Sequence, residues 1–474
     1  MSTSSAPMPE ITGVDELIAT RLARWSLDLR HGEIPREVRE HALLCMLDGV
    51  GIALASGAFP FAARAIAGLT PLVSGGDSPV IGKALRLAPR DAMLLNGILI
   101  HGLDFDDTHA GSVVHATASA LPTALGNGLA HGASGHEALA AYVIALEADA
   151  RLGAVAQGRF QHRGHHPTGM IGAYGATLCA GRLAGLTLEQ LVNAQGIVLS
   201  MASGSLEFLD DGDWTKRMHP GWAAVSATTA TALAAGGFLG PKRAYEGRYG
   251  LYNLHLGPDH GLDIGALGED LGDAWETLNV AFKPYPACHF NHAFIDAALA
   301  LREAPGFLPE KVEAVTVRLH PRQVGVVCEP FEKKRRPSSD YDAQFSLPYA
   351  VAVALLRGRF ALSELEEATR GDRDVLALID RVSYEIDPES AYPTHYSGEI
   401  TVTFSDGRSV TRRQAVNRGA RENPMAEADV EAKFFANAER TTDRARAQRI
   451  RDVLLTLEQQ PDLQGLATVL AGDA

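Results

Sequence analysis

A dense group of carboxylates and histidines lies between His101 and His115. The segment HGLDFDDTHAGSVVH combines three carboxylates with a threonine and three histidines. A carboxylate can orient a histidine or support its charge, so we predict that Asp104 does this while His109 or His115 faces a substrate. An acidic helix end, capped by an aspartate or by Thr108, would account for the same residues structurally.

A second cluster consists of histidines that directly precede a predicted helix. Three histidines stand within five positions in the segment HRGHHPT, which ends at Pro167 and Thr168. A helix N-terminus favours an anion and lowers the pKa of a neighbouring imidazole. These histidines are therefore candidates for acid–base work, with a purely structural role as the alternative.

The third cluster, WTKRMHPGW, supplies cations. Lys216, Arg217 and His219 stand at the start of a long stretch without charged residues. A cation pair at the mouth of a buried segment, in an acidic protein, is well placed to bind carboxylates. A solvated basic turn is the structural alternative.

The fourth cluster, AFKPYPACHFNH, lies where the helical pattern of apolar residues gives way to strand patterns. Lys283, Tyr285, Cys288, His289 and His292 occur within ten positions. Small-molecule clefts commonly form at such domain boundaries. An ordinary proline-rich hinge is the alternative. No thiol-enzyme signature surrounds Cys288, so we do not expect it to be a nucleophile.

With no nucleotide, redox or haem motif present, the four clusters together favour acid–base chemistry on an anion.

The elements that must position these clusters are mainly helices. Apolar residues recur at helical spacing through most of the first half of the chain. The predicted helices there cover residues 16–29, a helix opened by Pro35, 92–101, 136–152, 169–183 and 188–202. The abundant alanines and glycines predict closely packed helices.

Strand patterns begin near residue 279. We predict a strand over 312–319 and a hairpin from 399–404 to 409–413 that turns at Asp406 and Gly407, with helices over 346–356 and 362–367 between them. Helical patterns return over 428–437 and 443–457. The predicted fold is therefore mainly α, with an all-helical domain of residues 10–278 and 417–474 and an inserted α+β lid domain of residues 279–416.

Composition excludes some partners. The 474 residues include 43 Lys and Arg against 57 Asp and Glu, a formal net charge of −14. Nucleic acid and anionic membrane surfaces are therefore not expected as partners. The uncharged stretches 110–136 and 218–241 contain few large apolar residues, so no membrane span is predicted. The four cysteines form no CxxC pair and residues 1–10 show no secretion signal, which favours a cytoplasmic protein.

Four blocks of sequence resemble the MmgE/PrpD family. They are LDFDDTH from Leu103, HHPTGMIGAYGA from His165, TKRMH from Thr215 and FKPYP from Phe282, and the resemblance extends over residues 16–437. It implies a helical domain made from both chain ends, an inserted α+β lid, an active site between them and a homodimer. It also implies that no metal or organic cofactor is used.

By motif position, the resemblance implies the active-site residues Asp104, Thr108, His115, His166, Lys216 and Lys283. We predict that Lys216, Arg217 and Lys283 hold the substrate carboxylates while His115 or His166 moves a proton. Thr108 would orient a substrate oxygen, and His219, Tyr285 and His289 would complete the binding site.

The family includes 2-methylcitrate dehydratase, cis-aconitate decarboxylase and iminodisuccinate epimerase. Dehydration of a small di- or tricarboxylate is our first prediction and epimerisation the alternative. Decarboxylation is less favoured, because that branch has a histidine where Cys288 aligns and a lid tyrosine where this chain has valines near 324–327. Two further hypotheses are a metal-dependent hydrolase, using Asp104, Asp106, His109 and His165, and a non-enzymatic helical binding protein.

Overall fold

The computed structural model describes residues 16–392 and 394–472, and its fold is mainly α-helical. The prediction about residues 1–10 lies outside the described residues. The helices of the first segment are α1 (Ile18–Asp28), α2 (Arg36–Ser56), α3 (Pro60–Leu69), α4 (Pro89–Ile100), α5 (Thr117–His131), α6 (Gly135–Val155), α7 (Arg159–His162), α8 (Pro167–Leu183), α9 (Leu188–Val198), α10 (Phe208–Asp211), α11 (Thr215–Ala235) and α12 (Leu251–Leu256).

Small residues let these helices pack closely, as the sequence predicts. A Cβ atom added to Gly97 of α4 would lie 2.4 Å from the Cα atom of Gly221 in α11. The two helices therefore cross almost backbone to backbone, and α11 also packs against α5, α8 and α9. This crossing fixes the start of α11, which carries Lys216, against the rest of the helical layer.

The remaining helices are α13 (His292–Arg302), α14 (Pro321–Val327), α15 (Phe331–Arg335), α16 (Asp340–Gln344), α17 (Leu347–Arg357), α18 (Glu367–Arg370), α19 (Arg373–Ile379), α20 (Glu427–Ala438), α21 (Arg444–Leu455) and α22 (Gln464–Leu470). Helices α20 and α21 pack against α2, so the two ends of the chain meet in one helical layer. The exact domain boundaries stay a prediction.

The strands are β1 (Gly75–Pro79), β2 (Arg86–Leu87), β3 (Thr108–His109), β4 (Val280–Ala281), β5 (Val312–Leu319), β6 (Val382–Ile386), β7 (Gly398–Phe404) and β8 (Ser409–Gln414). The last four form one sheet in the order β6-β5-β7-β8, in which only β5 and β6 are parallel. The predicted hairpin is confirmed as β7–β8, with Gly407 at φ +83° in its turn. Helix α13 packs on this sheet and on α17.

Three details differ from the predictions. The first segment is not all-helical, because β1 and β2 pair there without the alternating apolar pattern that would reveal strands. Strand β6 was not predicted. The helix predicted over 362–367 is a 3₁₀ turn at Leu362–Leu365 followed by α18, since the backbone is extended at Glu366 (φ −70°, ψ 153°).

The described residues contain no single helix long and apolar enough to cross a membrane. Helices α2 and α3 are long and apolar enough only when taken together, and they are bent by 86° relative to each other.

Candidate active site

A cavity brings the four sequence clusters together. It encloses about 530 Å³ of empty space, its open mouth included. Seven of the predicted site residues line it: Asp104, Thr108, His115, His166, Lys216, Lys283 and His289. Residues from both the helical and the α+β segments form its walls, as the resemblance implies.

Short pieces of backbone structure position these side chains. Strand β3 pairs with β4, with Thr108 opposite Ala281, and so places the first cluster beside Lys283. His166 is the residue before α8, and its backbone N–H donates to Gly204 O over 2.9 Å. Because α8 and α11 pack together, the first turns of both helices border the same cavity.

One wall of the cavity is an ion cluster. The Nζ atoms of Lys216 and Lys283 donate to Asp104 Oδ1 over 2.7 and 2.8 Å, and Lys283 also donates to the Asp104 carbonyl over 3.0 Å. Burial alone would raise the pKa of Asp104, but the two ammonium groups outweigh it and hold this pKa well below its usual range. Two cations against one carboxylate leave a net positive charge that suits an anionic substrate.

Asp104 Oδ1 accepts hydrogen bonds from two lysines, so the prediction that Asp104 orients a histidine is wrong in this structure, while the alternative that it supports a histidine's charge stays a prediction. The carboxylate beside a histidine is instead that of Asp106, whose Oδ2 lies 2.6 Å from Nδ1 of His101. Asp104 also has a left-handed backbone, with φ at +48°. Such conformations are sparsely populated outside glycine and concentrate at functional sites. The two lysine contacts hold this conformation in place.

His115 presents a reactive nitrogen to the cavity. Its Nδ1 lies 2.7 Å from the carbonyl oxygen of Asp107 and 3.1 Å from Thr108 Oγ1. A carbonyl oxygen only accepts hydrogen bonds, so Nδ1 carries the proton and neutral His115 has a lone pair on Nε2. Burial, then Lys283, lowers the pKa of His115 well below its usual value. His115 is therefore a neutral imidazole able to accept a proton.

His166 is paired with a second histidine. Its Nδ1 lies 2.9 Å from Nδ1 of His219, so one ring donates and the other accepts. Burial lowers the pKa of His166 well below its usual value and that of His219 to about 4. His219, predicted to bind substrate, does not line the cavity and is hydrogen-bonded to His166 instead.

Arg217 and Tyr285 also lie away from the cavity wall. The Nε atom of Arg217 donates to Gly102 O over 2.7 Å, and its guanidinium stands 4.2 Å from the ring centroid of Phe61. Successive helix residues point about 100° apart, so Arg217 cannot follow Lys216 into the cavity. The hydroxyl of Tyr285 donates to Asp296 over 2.7 Å.

The cavity also has aromatic walls that the sequence analysis did not assign. Phe208, Phe345 and Tyr396 line it, together with Cys288 and Val326. The predicted valines are present, with Val326 on the cavity wall, and the lid also supplies a tyrosine that the prediction did not include: Tyr396, from the residues just before β7. Its hydroxyl donates to Ala110 O over 3.2 Å. No local pattern marks this tyrosine, since its place depends on the packing of the sheet.

The four residues of the metal-hydrolase hypothesis are engaged separately. His109 contacts Ser112 and Glu276, the ring of His165 packs on His255, and Asp104 holds the lysines. Within the described ranges, a different group of three residues has potential metal-ligand atoms within 4.8 Å of one another. These residues are His101, Asp106 and His115. The Nδ1 atoms of both these histidines face oxygen acceptors, an arrangement suited to proton transfer.

Comparison with known proteins identifies the family of this chain. The family model described as the MmgE/PrpD N-terminal domain matches residues 20–261, and the MmgE/PrpD C-terminal domain matches residues 285–459. The chain belongs to the MmgE/PrpD family. Together the two matches cover the segments that carry the cavity residues, except Lys283, which lies between them.

Several relatives in the MmgE/PrpD family resemble this chain along most of its length. Cis-aconitate decarboxylase of Aspergillus terreus is 26% identical, covering 96% of each chain. Cis-aconitate decarboxylase of Mus musculus is 28% identical over 84% of this chain and 82% of its own. The 2-methylcitrate dehydratase of Escherichia coli strain K12 is 25% identical over 88% of this chain and 90% of its own. These relatives are lyases, and this chain is an enzyme of the same family.

Proposed function

We propose that this MmgE/PrpD enzyme is a cofactor-independent lyase that moves a proton at the carbon next to a carboxylate of a small polycarboxylate. One observation carries the proposal: the Asp104–Lys216–Lys283 ion cluster and the free Nε2 of His115 border the same cavity. Cations beside a neutral base are what this proton transfer requires. Our first candidate is dehydration of an acid of the 2-methylcitrate type.

The lysines make the proton transfer possible. A proton next to a carboxylate is weakly acidic, because its removal places a second negative charge on that carboxylate. Lys216 and Lys283 would bind the carboxylate and stabilise this charge, while His115 Nε2 accepts the proton. Thr108, whose hydroxyl lies 3.1 Å from His115 Nδ1, would help to orient the reacting groups.

Dehydration then completes the reaction. The electron pair of the broken C–H bond forms the C=C bond, and the C–O bond to the β-hydroxyl breaks. The departing hydroxide takes up the proton that His115 has accepted and leaves as water, which returns His115 to its neutral form. His166 lines the same cavity and would relay this proton to the leaving group.

Decarboxylation is the second candidate, and two observations favour it. Relatives named cis-aconitate decarboxylase cover nearly the whole chain. His289 and Tyr396 both line the cavity, so a histidine and a lid tyrosine are present although Cys288 occupies the aligned position. In this reaction a C–C bond breaks, carbon dioxide leaves, and a histidine delivers a proton to the carbon skeleton that keeps the electron pair.

Proton NMR of the chelator-treated protein in deuterated water tests the proposal. The substrates are 2-methylcitrate, citrate, cis-aconitate and iminodisuccinate. We expect metal-free turnover of at least one acid, with a new alkene for dehydration and loss of carbon dioxide for decarboxylation. Deuterium uptake without either product would indicate epimerisation. An absence of change in all four acids, or activity only after a divalent metal is added, would contradict the proposal.

We also propose that the enzyme is a homodimer that uses the exposed face of α11. Trp214, Met218 and Trp222 are spaced four residues apart and are 38%, 41% and 42% exposed. Beside them lies an apolar groove whose lining includes Phe61 and Leu94. Exposed apolar patches of this kind mark interaction surfaces, and a single helix face can pair with itself about a two-fold axis.

Sedimentation of two variants tests the dimer. We expect the unmodified protein to have twice the chain mass and Trp222→Glu to shift toward the monomer, because a carboxylate would be buried in the interface. Leu308→Glu is the matched control, since Leu308 is 40% exposed and lies outside this face. A monomeric parent protein, or an intact Trp222→Glu dimer, would contradict the proposal.

A further inference from the structure

A buried His101–Asp106 pair stands directly behind the cavity histidines. Nδ1 of His101 lies 2.6 Å from Asp106 Oδ2, and the two residues are only 1% and 0% exposed. Neither residue lines the cavity. The proposed reaction uses neither of them directly, yet a buried carboxylate is costly to keep unless it is hydrogen-bonded or paired.

The pair contacts both imidazoles of the proposed reaction. The ring of His101 lies 5.0 Å from that of His115 and stacks on that of His166 at 5.5 Å, measured between centroids. The second carboxylate oxygen of Asp106 lies 4.0 Å from His115 Nδ1 and has no hydrogen-bond partner among the described residues. A buried oxygen left unpaired calls for an explanation.

We infer that His101 and Asp106 are positioning residues that hold a negative charge beside His115 while it carries the transferred proton. The inference rests on the proposed function. It explains the unpaired oxygen, which faces the place where the positive charge forms. His101 holds the other oxygen of the carboxylate and so prevents the group from turning away.

The charges around His115 show why such a group is needed. Lys216 and Lys283 oppose a positive charge on His115, as do the neighbouring rings of His101 and His166 whenever they are protonated. Asp104 is already bonded to both lysines. Asp106 has no lysine bonded to it among the described residues, and its free oxygen lies 4.0 Å from His115 Nδ1. Loss of its charge should therefore weaken His115 as a base without removing any contact to the substrate.

The main test is Asp106→Asn. We expect kcat to fall about 10- to 100-fold, the cost typical of losing a carboxylate that supports an imidazole. KM should change by less than about threefold, because the pair does not touch the cavity. Nitrogen NMR of labelled histidines should show His115 titrating at a lower pH in the variant, since its protonated form loses a stabilising negative charge.

Two further variants separate positioning from general damage. His101→Asn keeps a donor for Asp106 and should retain more activity than His101→Phe, which removes the donor. The control is Asp149→Asn, at a carboxylate that is equally buried and accepts a hydrogen bond from Gly175 N over 3.1 Å. We expect the control to keep kcat within about twofold, because Asp149 does not line the cavity and burial raises its pKa well above its usual value, which favours the neutral form that asparagine resembles.

The outcomes distinguish this inference from the proposed function. A folded Asp106→Asn variant with unchanged kcat and an unchanged His115 titration would overturn the inference. If Asp106→Asn does not fold, equal activity of His101→Asn and His101→Phe would overturn it. If the unmodified protein turns over none of the acids, the proposed function fails, and an unchanged His115 titration would still reject the charge coupling.

Discussion

Replacing Lys216 with alanine is expected to lower kcat/KM by about 100- to 1,000-fold, the usual cost of removing one group that stabilises developing charge. The Lys216 ammonium is 5% exposed, lines the cavity and lies 2.7 Å from Asp104. Without it, Lys283 is the remaining lysine on this wall and stays bound to Asp104. The negative charge formed during proton removal then loses much of its stabilisation.

Steady-state turnover and thermal unfolding should be measured on the same Lys216→Ala preparation. Lys242→Ala is the control, because it removes the same charge from an exposed position. We expect the control to keep normal turnover. If Lys216→Ala also turned over at a near-normal rate, the cation cluster would not be part of the catalytic site.

Replacing Asp104 with asparagine should abolish most activity and destabilise the fold by about 3–5 kcal/mol, the typical cost of removing one partner from a buried ion pair. The change leaves two ammonium groups close together, with the carboxylate that compensated them gone. The hydrogen bond from Lys283 to the backbone carbonyl of residue 104 remains, but the charged contacts of both lysines with the side chain are lost. Both lysines should then shift away from their positions on the cavity wall.

The stability difference at this position should depend on pH in one direction. The folded-state pKa of Asp104 is depressed, so its contribution is fully present above the unfolded-state pKa of about 3.9. It is lost as the pH falls from there toward the folded-state pKa. Urea unfolding should therefore give the same difference between the parent and Asp104→Asn at pH 7 and pH 6, and a smaller one below about pH 4.

The exposed Asp259→Asn variant provides the matched control for charge. It should unfold like the parent protein at each pH and keep full turnover. An Asp104→Asn variant with parental stability and activity would show that the ion cluster is neither structural nor catalytic.

Local patterns determined much of this protein. Pro167 indicated where α8 begins, and the spacing of apolar residues predicted α2 and α17. These helices were predictable because the signals for a helix lie within a few residues of one another. The hairpin β7–β8 was equally predictable, since its strands flank one short turn. By contrast, β6 pairs with β5 across more than sixty residues, and no nearby signal indicates that partner.

The sequence by itself identified the carboxylate, the lysines and the histidines that line the cavity, but not its aromatic walls, and the family blocks marked their positions in the chain. Only the tertiary structure decided which groups meet. Asp104 and Asp106 are two residues apart, yet Asp104 bonds lysines 112 and 179 positions away while Asp106 bonds His101. Tyr396 and His219 likewise took their places through packing. Pairing of this kind depends on distances between remote elements, which side-chain type and local spacing do not specify.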